Sequence, residues 1–293
     1  MQPPREAVVV VNRRSRRTSA ALKRLPEILR ARAVRVAAFH AVDGSDEVQR
    51  VVRGAAKAGA PVVLVGGGDG MMAHAVDALA HRDTVLGVLP LGTGNSFARS
   101  LAIPLDDLDA AVDVVAQNHV ERIDLGCANG THFANFATVG LSSIVAGDTG
   151  ERAKGLFGRL AYAFAALRPL ATHRGFRARI AWPAGELDLV TQDIVVGNGR
   201  YFGASPIAAD AGITDGRFTL FVAEGRSAFA ALRTWLAFGL RAQTALPDAH
   251  VVSAKRLTIR TSPKQRIAID GSLFERTPAR LHVASRALRA FVP

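Results

Sequence analysis

Residues Pro61–Ala80 read PVVLVGGGDGMMAHAVDALA, and residues His81–Leu101 continue HRDTVLGVLPLGTGNSFARSL. Two short apolar runs, Val62–Val65 and Val85–Leu89, each lead into a glycine-rich loop, and each loop leads into a helix-like segment. Short β-branched runs bounded by Gly and Pro read as buried parallel strands. A glycine at such a strand-to-helix turn has no Cβ, so its backbone N–H can approach a ligand closely. The helix N-terminus behind the turn attracts anions through its free N–H groups and its dipole. Two such loops from neighbouring strands face one crevice, and its expected occupant is phosphate.

On the N-terminal side, Ala7–Val11 reads as a buried strand ending at Asn12, followed by the basic loop Arg13-Arg14-Ser15-Arg16-Arg17. Thr18–Arg32 has helical periodicity, with Pro26 expected to restart the helix, and Val34–Phe39 reads as a second strand. Ser45 is placed to cap a helix over Asp46–Ala58, with Asp46 and Glu47 suited to its first turn. On the other side, Pro104 opens an amphipathic helix over Leu105–Gln117, and Val120–Leu125 reads as another strand. Strands alternating with helices at this spacing predict an α/β domain with a doubly wound parallel sheet.

After Gly126 the pattern changes. Strand-like pieces follow one another at His132–Val139, Phe176–Trp182, Leu187–Gly197, Arg217–Ala223, Val251–Arg260, Arg266–Asp270 and Ala279–Val283. Only two long helical patterns interrupt them, Gly155–Ala171 and Ser227–Arg241. This predicts a second, mostly antiparallel β domain. The expected division is residues 1–127 and 128–284, with 285–293 returning to the first domain.

The chain of 293 residues is 49% hydrophobic, enough for a substantial core. Its 37 Lys and Arg against 25 Asp and Glu give a net charge of +12, which suits anionic partners such as nucleotide phosphates or acidic lipid. No zinc-finger spacing or aromatic-studded RNA signature occurs, which argues against nucleic acid. Cys127 is the single cysteine, so no disulfide framework forms and a reducing, cytoplasmic setting is expected. The apolar run near the N-terminus is too short for a signal peptide, and nowhere do ~18 consecutive apolar residues suggest a membrane span.

Gly66-Gly67-Gly68-Asp69-Gly70 holds more glycine than a tight turn needs, and Asp69 adds an ionisable group at its mouth. No Gly-Lys-Ser/Thr follows, so this is not a P-loop. Gly68 to Ala73 fits the dinucleotide pattern, but the next strand ends in Pro90-Leu91-Gly92 rather than in a ribose-binding acid. In the second loop Gly92, Thr93, Gly94 and Asn95 offer N–H, hydroxyl and amide groups suited to phosphate. Ser96 is a candidate cap, and Arg99, one helical turn on, adds charge.

Together the loops resemble the diacylglycerol kinase catalytic-domain family, which includes bacterial lipid kinases and sphingosine kinases. The resemblance rests on Gly67-Gly68-Asp69-Gly70 and on Leu89 to Asn95 with Phe97-Ala98-Arg99. It continues through Ile123-Asp124-Leu125-Gly126, Phe133-Ala134-Asn135, Gly197-Asn198-Gly199 and Tyr201-Phe202-Gly203. It closes with ADAGITDG ending at Gly216, Asp270-Gly271, Thr277-Pro278, Ala287-Leu288 and Val292-Pro293. It covers nearly the whole chain in order.

The resemblance implies transfer of the ATP γ-phosphoryl group to a lipid hydroxyl, on diacylglycerol or a sphingoid-type lipid. It implies a phosphofructokinase-like α/β domain, a C-terminal β-sandwich, and lipid entering a cleft between them. The helical pattern Leu156–Leu170 is then a candidate lining for that cleft. ATP would lie on Asn12, Gly67, Gly68, Asp69, Gly70, Gly92, Thr93, Gly94, Asn95 and Arg99, with Mg²⁺ bridging its phosphates. A second, structural Mg²⁺ would use the Asp215 carboxylate with carbonyls near Gly212 and Arg217. The enzyme would visit an anionic membrane surface at the inner face of the membrane, with Arg13, Arg14, Arg16 and Arg17 assisting. The oligomeric state is open, a homodimer included.

The departures are as specific. Of the family's Asn-Pro-x-Ser-Gly loop only Asn12 and Ser15 remain. Met71 replaces a common Thr, and Ser96 replaces an Asp common in bacterial members. Ser272 stands where the family's Asp-Gly-Glu carries its proposed general base, and a serine hydroxyl takes up no proton near neutral pH. Asp69, Asp270 and, more weakly, Glu275 are the remaining candidate bases. Two rivals to an active lipid kinase stay in view. One is a degenerate member that binds nucleotide and lipid without efficient turnover. The other is a soluble kinase of NAD-kinase type, which shares the Gly-Gly-Asp-Gly loop but not Leu89 to Arg99.

Overall fold

The computed structural model describes residues 6–13, 16–148, 174–199, 201–202, 205–206, 212–240 and 242–293. It divides into two compact units, Met1–Leu125 with Ala284–Pro293, and Gly126–Val283.

The first unit alternates strand and helix: β1 (Ala7–Asn12), α1 (Arg16–Ala31), β2 (Val36–Val42), α2 (Ser45–Lys57), β3 (Val62–Gly67), α3 (Asp69–Leu79), β4 (Val85–Pro90), α4 (Ser96–Ser100), α5 (Leu108–Gln117) and β5 (Val120–Ala128), whose last residues pass into the second unit. β2, β1, β3 and β4 pair in that order, all parallel. Every residue of β3 and β4 is buried, which explains their unbroken apolar character. Val9, Leu64 and Leu89 of the sheet share a core with Leu25 and Leu29 of α1 and with Val112 and Val115 of α5. α2 and α3 bury Val48, Val52, Val76 and Leu79 as they pack on β1 and β3.

Three local expectations change here. α1 runs through Pro26 without restarting, anchored on either side by buried Leu25, Ile28 and Leu29. Ser45 lies inside α2, and extended Gly44 precedes it with no side-chain cap. α5 starts at Leu108 rather than Leu105, because the Asp107 carboxylate accepts the Ala110 N–H at 3.1 Å and fixes the first turn there.

The second unit holds β6 (Thr131–Phe133), β7 (Phe136–Gly140), α6 (Leu141–Asp148), β8 (Phe176–Trp182), β9 (Gly185–Gly197), β10 (Tyr201–Phe202), β11 (Ser205–Pro206), β12 (Phe218–Glu224), α7 (Ala228–Gly239), β13 (Ala249–Ala254), β14 (Arg256–Ser262), β15 (Arg266–Ile269), β16 (Ser272–Arg276) and the start of β17 (Ala279–Phe291). Its strand pairings are antiparallel. β9 is long because its first half pairs β8 and its second half lies between β7 and β12. The core gathers Phe133, Phe176, Phe218, Ile180, Ile194, Ile259 and Ile267, with the Phe133 and Phe218 rings stacked at 6.0 Å between centroids.

The single strand expected over His132–Val139 is two, β6 and β7. The break falls at Ala134-Asn135, where the backbone N–H groups turn to the Asp270 carboxylate instead of a neighbouring strand. Val251–Arg260 also splits, because β13 pairs β12 while β14 pairs β8 and β17, so the chain must turn between them. β17 continues beyond the expected Val283, and its end lies parallel to β4 through Arg289 and Ala290. The expected helix Gly155–Ala171 lies outside the described residues.

Candidate active site

β3 and β4 are neighbours in register, Gly66 beside Leu89 and Gly67 beside Pro90, so both glycine loops leave the same carboxyl edge of the sheet. Asn12 ends β1 on that edge and is half-buried. Ligands of open parallel sheets bind at this edge.

The loops touch backbone to backbone. A Cβ on Gly92 would lie 2.3 Å from the Gly68 Cα, and one on Gly94 would lie 2.6 Å from the Asp69 Oδ2. The Leu91 N–H donates to the Gly67 carbonyl at 3.1 Å. Close approach, rather than an unusual backbone angle, is what requires glycine at these positions.

Two predicted ligand-binding residues prove to build the loops. Asn95 is buried in the left-handed region at φ 49°; its Oδ1 accepts the Gly92 N–H at 3.0 Å and its Nδ2 donates to the Gly92 carbonyl at 2.9 Å. The Asp69 Oδ1 accepts the Ser96 N–H at 2.7 Å, and its Oδ2 accepts the Ser96 hydroxyl at 3.3 Å. Asp69, the first residue of α3, therefore ties the first loop to the head of α4. Gly70, Thr93 and Gly94 are exposed, with Gly68 and Gly92 half-exposed beside them. Arg99 is half-buried, and its buried Nε has no hydrogen-bond partner among the described residues.

The basic stretch is dispersed. Arg13 donates to the Ala41 carbonyl at 2.8 Å and lies 3.7 Å from the Asp43 carboxylate. Arg14 and Ser15 lie outside the described residues, and Arg16 and Arg17 open α1 rather than lengthening the loop.

In the second unit, Asp270 and Gly271 have φ of 45° and 80° and turn β15 into β16. The Asp270 carboxylate is buried and accepts the N–H groups of Ala134 at 2.7 Å, Asn135 at 2.9 Å and Phe136 at 3.1 Å. Asn198 joins the cluster, donating its Nδ2 to the Ala134 carbonyl at 3.0 Å. Asp270 thus clamps the backbone of Ala134-Asn135-Phe136, a role its sequence position alone does not disclose. Ser272, two residues on, is exposed as the first residue of β16. Glu275 lies within β16, not in a turn, and accepts from the Asn129 Nδ2 at 2.8 Å.

The Asp215 carboxylate accepts the backbone N–H groups of Gly212 at 3.0 Å and Arg217 at 2.9 Å. Among the described residues no group of three His, Cys, Asp or Glu side chains is arranged for a metal. Residues 207–211 of the loop lie outside the described residues, and a structural Mg²⁺ on Asp215 with carbonyls near Gly212 and Arg217 stays a proposal.

One ionisable group escaped the sequence reading. Asp193, on β9, accepts the backbone N–H of Ser142 at 3.1 Å and the Ser142 hydroxyl. Trp235 of α7 also hydrogen-bonds to it, yet burial pushes its carboxyl up to about 7. The available signal was a carboxylate set directly before the apolar run Ile194-Val195-Val196 of the expected strand Leu187–Gly197.

Residues 6–128 match the diacylglycerol kinase catalytic domain, and residues 135–292 match the YegS C-terminal NAD kinase beta sandwich-like domain. A diacylglycerol kinase of Bacillus subtilis (strain 168) is 30% identical over 242 residues, 79% of this chain and 78% of the relative. One from Mycobacterium tuberculosis (strain CDC 1551 / Oshkosh) is 30% identical over 256 residues, 84% of this chain and 82% of the relative. A crystal structure of a diacylglycerol kinase from Bacillus anthracis str. Sterne superposes with a TM-score of 0.75 at 21% identity, covering 99% of this chain and 97% of that one. That likeness supports the fold, an α/β unit followed by a mostly antiparallel β unit. With its glycine loops, its strand order and both matched domains in sequence, the chain belongs to the diacylglycerol kinase family.

Proposed function

We propose that the protein transfers the γ-phosphoryl group of magnesium-bound ATP to the hydroxyl of a membrane lipid. The observation that carries this reading is the clasp of Gly68 against Gly92 at the carboxyl edge of β3 and β4, closed by Asp69. Phosphoryl transfer depends mainly on positioning and on neutralising phosphate charge. Gly70, Thr93 and Gly94 are exposed at the rim, where their backbone N–H groups would meet phosphate oxygens, and the Arg99 guanidinium would supply the cation. Mg²⁺ enters with ATP as part of the substrate. A net charge of +12 favours an anionic surface, and no helix among the described residues is long and apolar enough to cross a membrane. The reaction is expected at the inner face of the membrane, where ATP and lipid meet. The names of the relatives support diacylglycerol as the first acceptor to try.

The test is a phosphorylation screen with γ-labelled ATP and Mg²⁺, offering diacylglycerols, sphingoid bases and NAD to the purified protein. Label is expected in a lipid. Phosphorylation of NAD alone would replace this reading with the soluble-kinase one. A second reading, binding without efficient turnover, is favoured by one feature. Ser272 places a hydroxyl where the catalytic machinery of the resembled family has a carboxylate. ATP binding without label in any lipid would support it.

A further inference from the structure

α7 carries apolar side chains on two sides. Inward, Ala231 and Ala237 are buried, and the Phe238 ring meets Phe221 of β12 edge-on at 4.8 Å between centroids. Outward, Phe229 is 75% exposed, Leu232 41%, Leu236 57% and Leu240, just past the helix end, 78%. Steps of three, four and four residues place these four on one stripe, about 16 Å long at the helical rise. Val251 adds to it: it sits opposite Phe221 in the β12–β13 register, hence on the same sheet face as α7, and is 46% exposed. A helix that is apolar all round is normally covered, and contiguous exposed apolar patches mark interaction surfaces.

The charge beside the stripe identifies the cover. Arg226, exposed, stands three residues before Phe229. A Cβ on Gly175 would lie 3.1 Å from the Arg226 Cα, so exposed Arg174 is next to it. The surrounding carboxylates are already engaged: Asp188 by Arg177 and Arg179, Glu224 by His250, and Asp248 by Arg233. Among the described residues Arg174 and Arg226 therefore keep their charge for an outside partner. α7 itself contains no acidic residue. A second copy of the same face would bring arginines, apolar side chains and only carboxylates already engaged within the chain, on a chain of net charge +12. Apolar side chains flanked by unpaired arginines match the boundary between acyl chains and anionic headgroups.

We propose that the outer face of α7, with Arg174 and Arg226, is a docking surface for an anionic lipid bilayer. Phe229, Leu232, Leu236 and Leu240 enter the acyl boundary while the two arginines meet headgroup phosphates.

The experiment is co-sedimentation of the purified protein with phosphatidylcholine vesicles, with and without 30% phosphatidylglycerol. No ATP or acceptor lipid is added, so the result is independent of whether the protein turns over. The wild type is expected on the anionic vesicles and in solution with the neutral ones. Phe229→Ser with Leu240→Ser should lower binding at least tenfold. Arg174→Ser with Arg226→Ser should lower it by roughly thirtyfold and flatten its salt dependence. The arginine pair is exposed and leaves the apolar packing untouched, so it serves if the first variant folds poorly. Unchanged vesicle binding in the arginine variant, or no binding by the wild type, overturns the proposal. So does a wild-type dimer that Phe229→Ser with Leu240→Ser converts to monomer at unchanged vesicle binding, which assigns the face to a second copy.

Discussion

Gly68 and Gly92 lie so close that a Cβ on Gly92 would fall 2.3 Å from the Gly68 Cα. The obstacle is backbone, which cannot swing aside as a side chain could. Gly92→Ala must therefore part the two loops, at about 1–3 kcal/mol of overpacking strain. It should weaken ATP binding as well as lower the melting temperature. Gly54 is the control, since nothing lies within 4 Å of its hypothetical Cβ. Gly54→Ala should fold at least as well as wild type, being inside α2. Calorimetric ATP titration of both variants checks the pair, and equal affinities would show that the clasp does not shape the nucleotide site.

Asp69 holds the head of α4, so its removal cannot be silent in folding. Asp69→Ala should cost about 1 kcal/mol, the usual value of a lost helix-capping carboxylate, and should cut turnover ~10²-fold or more. Asp69→Asn separates the two effects. It keeps an oxygen for the Ser96 N–H and loses the charge. Recovered stability with turnover still lost would give Asp69 a role in the chemistry. Recovery of both would make it a structural tie.

Asp270 gathers three backbone N–H groups. Asp270→Ala orphans them in a buried place, and each buried unsatisfied group costs ~1–3 kcal/mol. The expected result is a loss of roughly 3 kcal/mol or more in urea unfolding, with activity falling because the fold does. An Asp270→Asn protein that melts like wild type yet turns over no substrate would restore Asp270 as a base.

Asp193 gives stability a pH dependence of definite sign. Its carboxyl is pushed up to about 7 from 3.8 by burial. Between those values the folded protein keeps a proton that the unfolded chain has released. Stability should therefore fall as pH rises from about 4 to about 7, at most about 1.4 kcal/mol per pH unit, and level off above. Asp193→Asn should remove that slope. Urea midpoints at pH 5 and pH 8 for both proteins decide it, and parallel shifts would show that Asp193 ionises normally.

The sequence disclosed what repeats along the chain and concealed what depends on distant partners. Val62–Val65 and Val85–Leu89 announced adjacent buried strands, because strands covered on both faces need apolar residues throughout. The glycine loops announced a crevice, because glycine in such number serves only close backbone approach. Nothing local to Asp270 revealed that it binds residues 134–136 across more than a hundred positions of chain, so the break between β6 and β7 was missed. The internal bonds of Asn95 and Asp69 were hidden for the same reason: their partners, Gly92 and Ser96, lie in loops whose geometry the sequence does not state. α7 was read as an ordinary helix, since an outward apolar stripe and an inward one look alike before packing is known.

Ser272 offers the sharpest test of the chemistry. It is exposed at the start of β16, where substitution should change stability by no more than about 0.5 kcal/mol. The resembled family has a glutamate at this point, after the Asp-Gly turn that Asp270 and Gly271 form here. Ser272→Glu therefore supplies a carboxylate on an intact turn. If proton removal from the lipid hydroxyl limits the rate, turnover should rise by ~10²-fold. If Asp69 already serves as base, a second carboxylate adds little, and its charge opposes ATP. Initial rates of wild type and Ser272→Glu, on the best lipid from the screen, distinguish these cases. A large gain identifies a kinase slowed by loss of its base. An active wild type with no gain from Ser272→Glu identifies a mechanism that does not need this position. Inactivity of both with ATP still bound would overturn the kinase reading in favour of a binding protein.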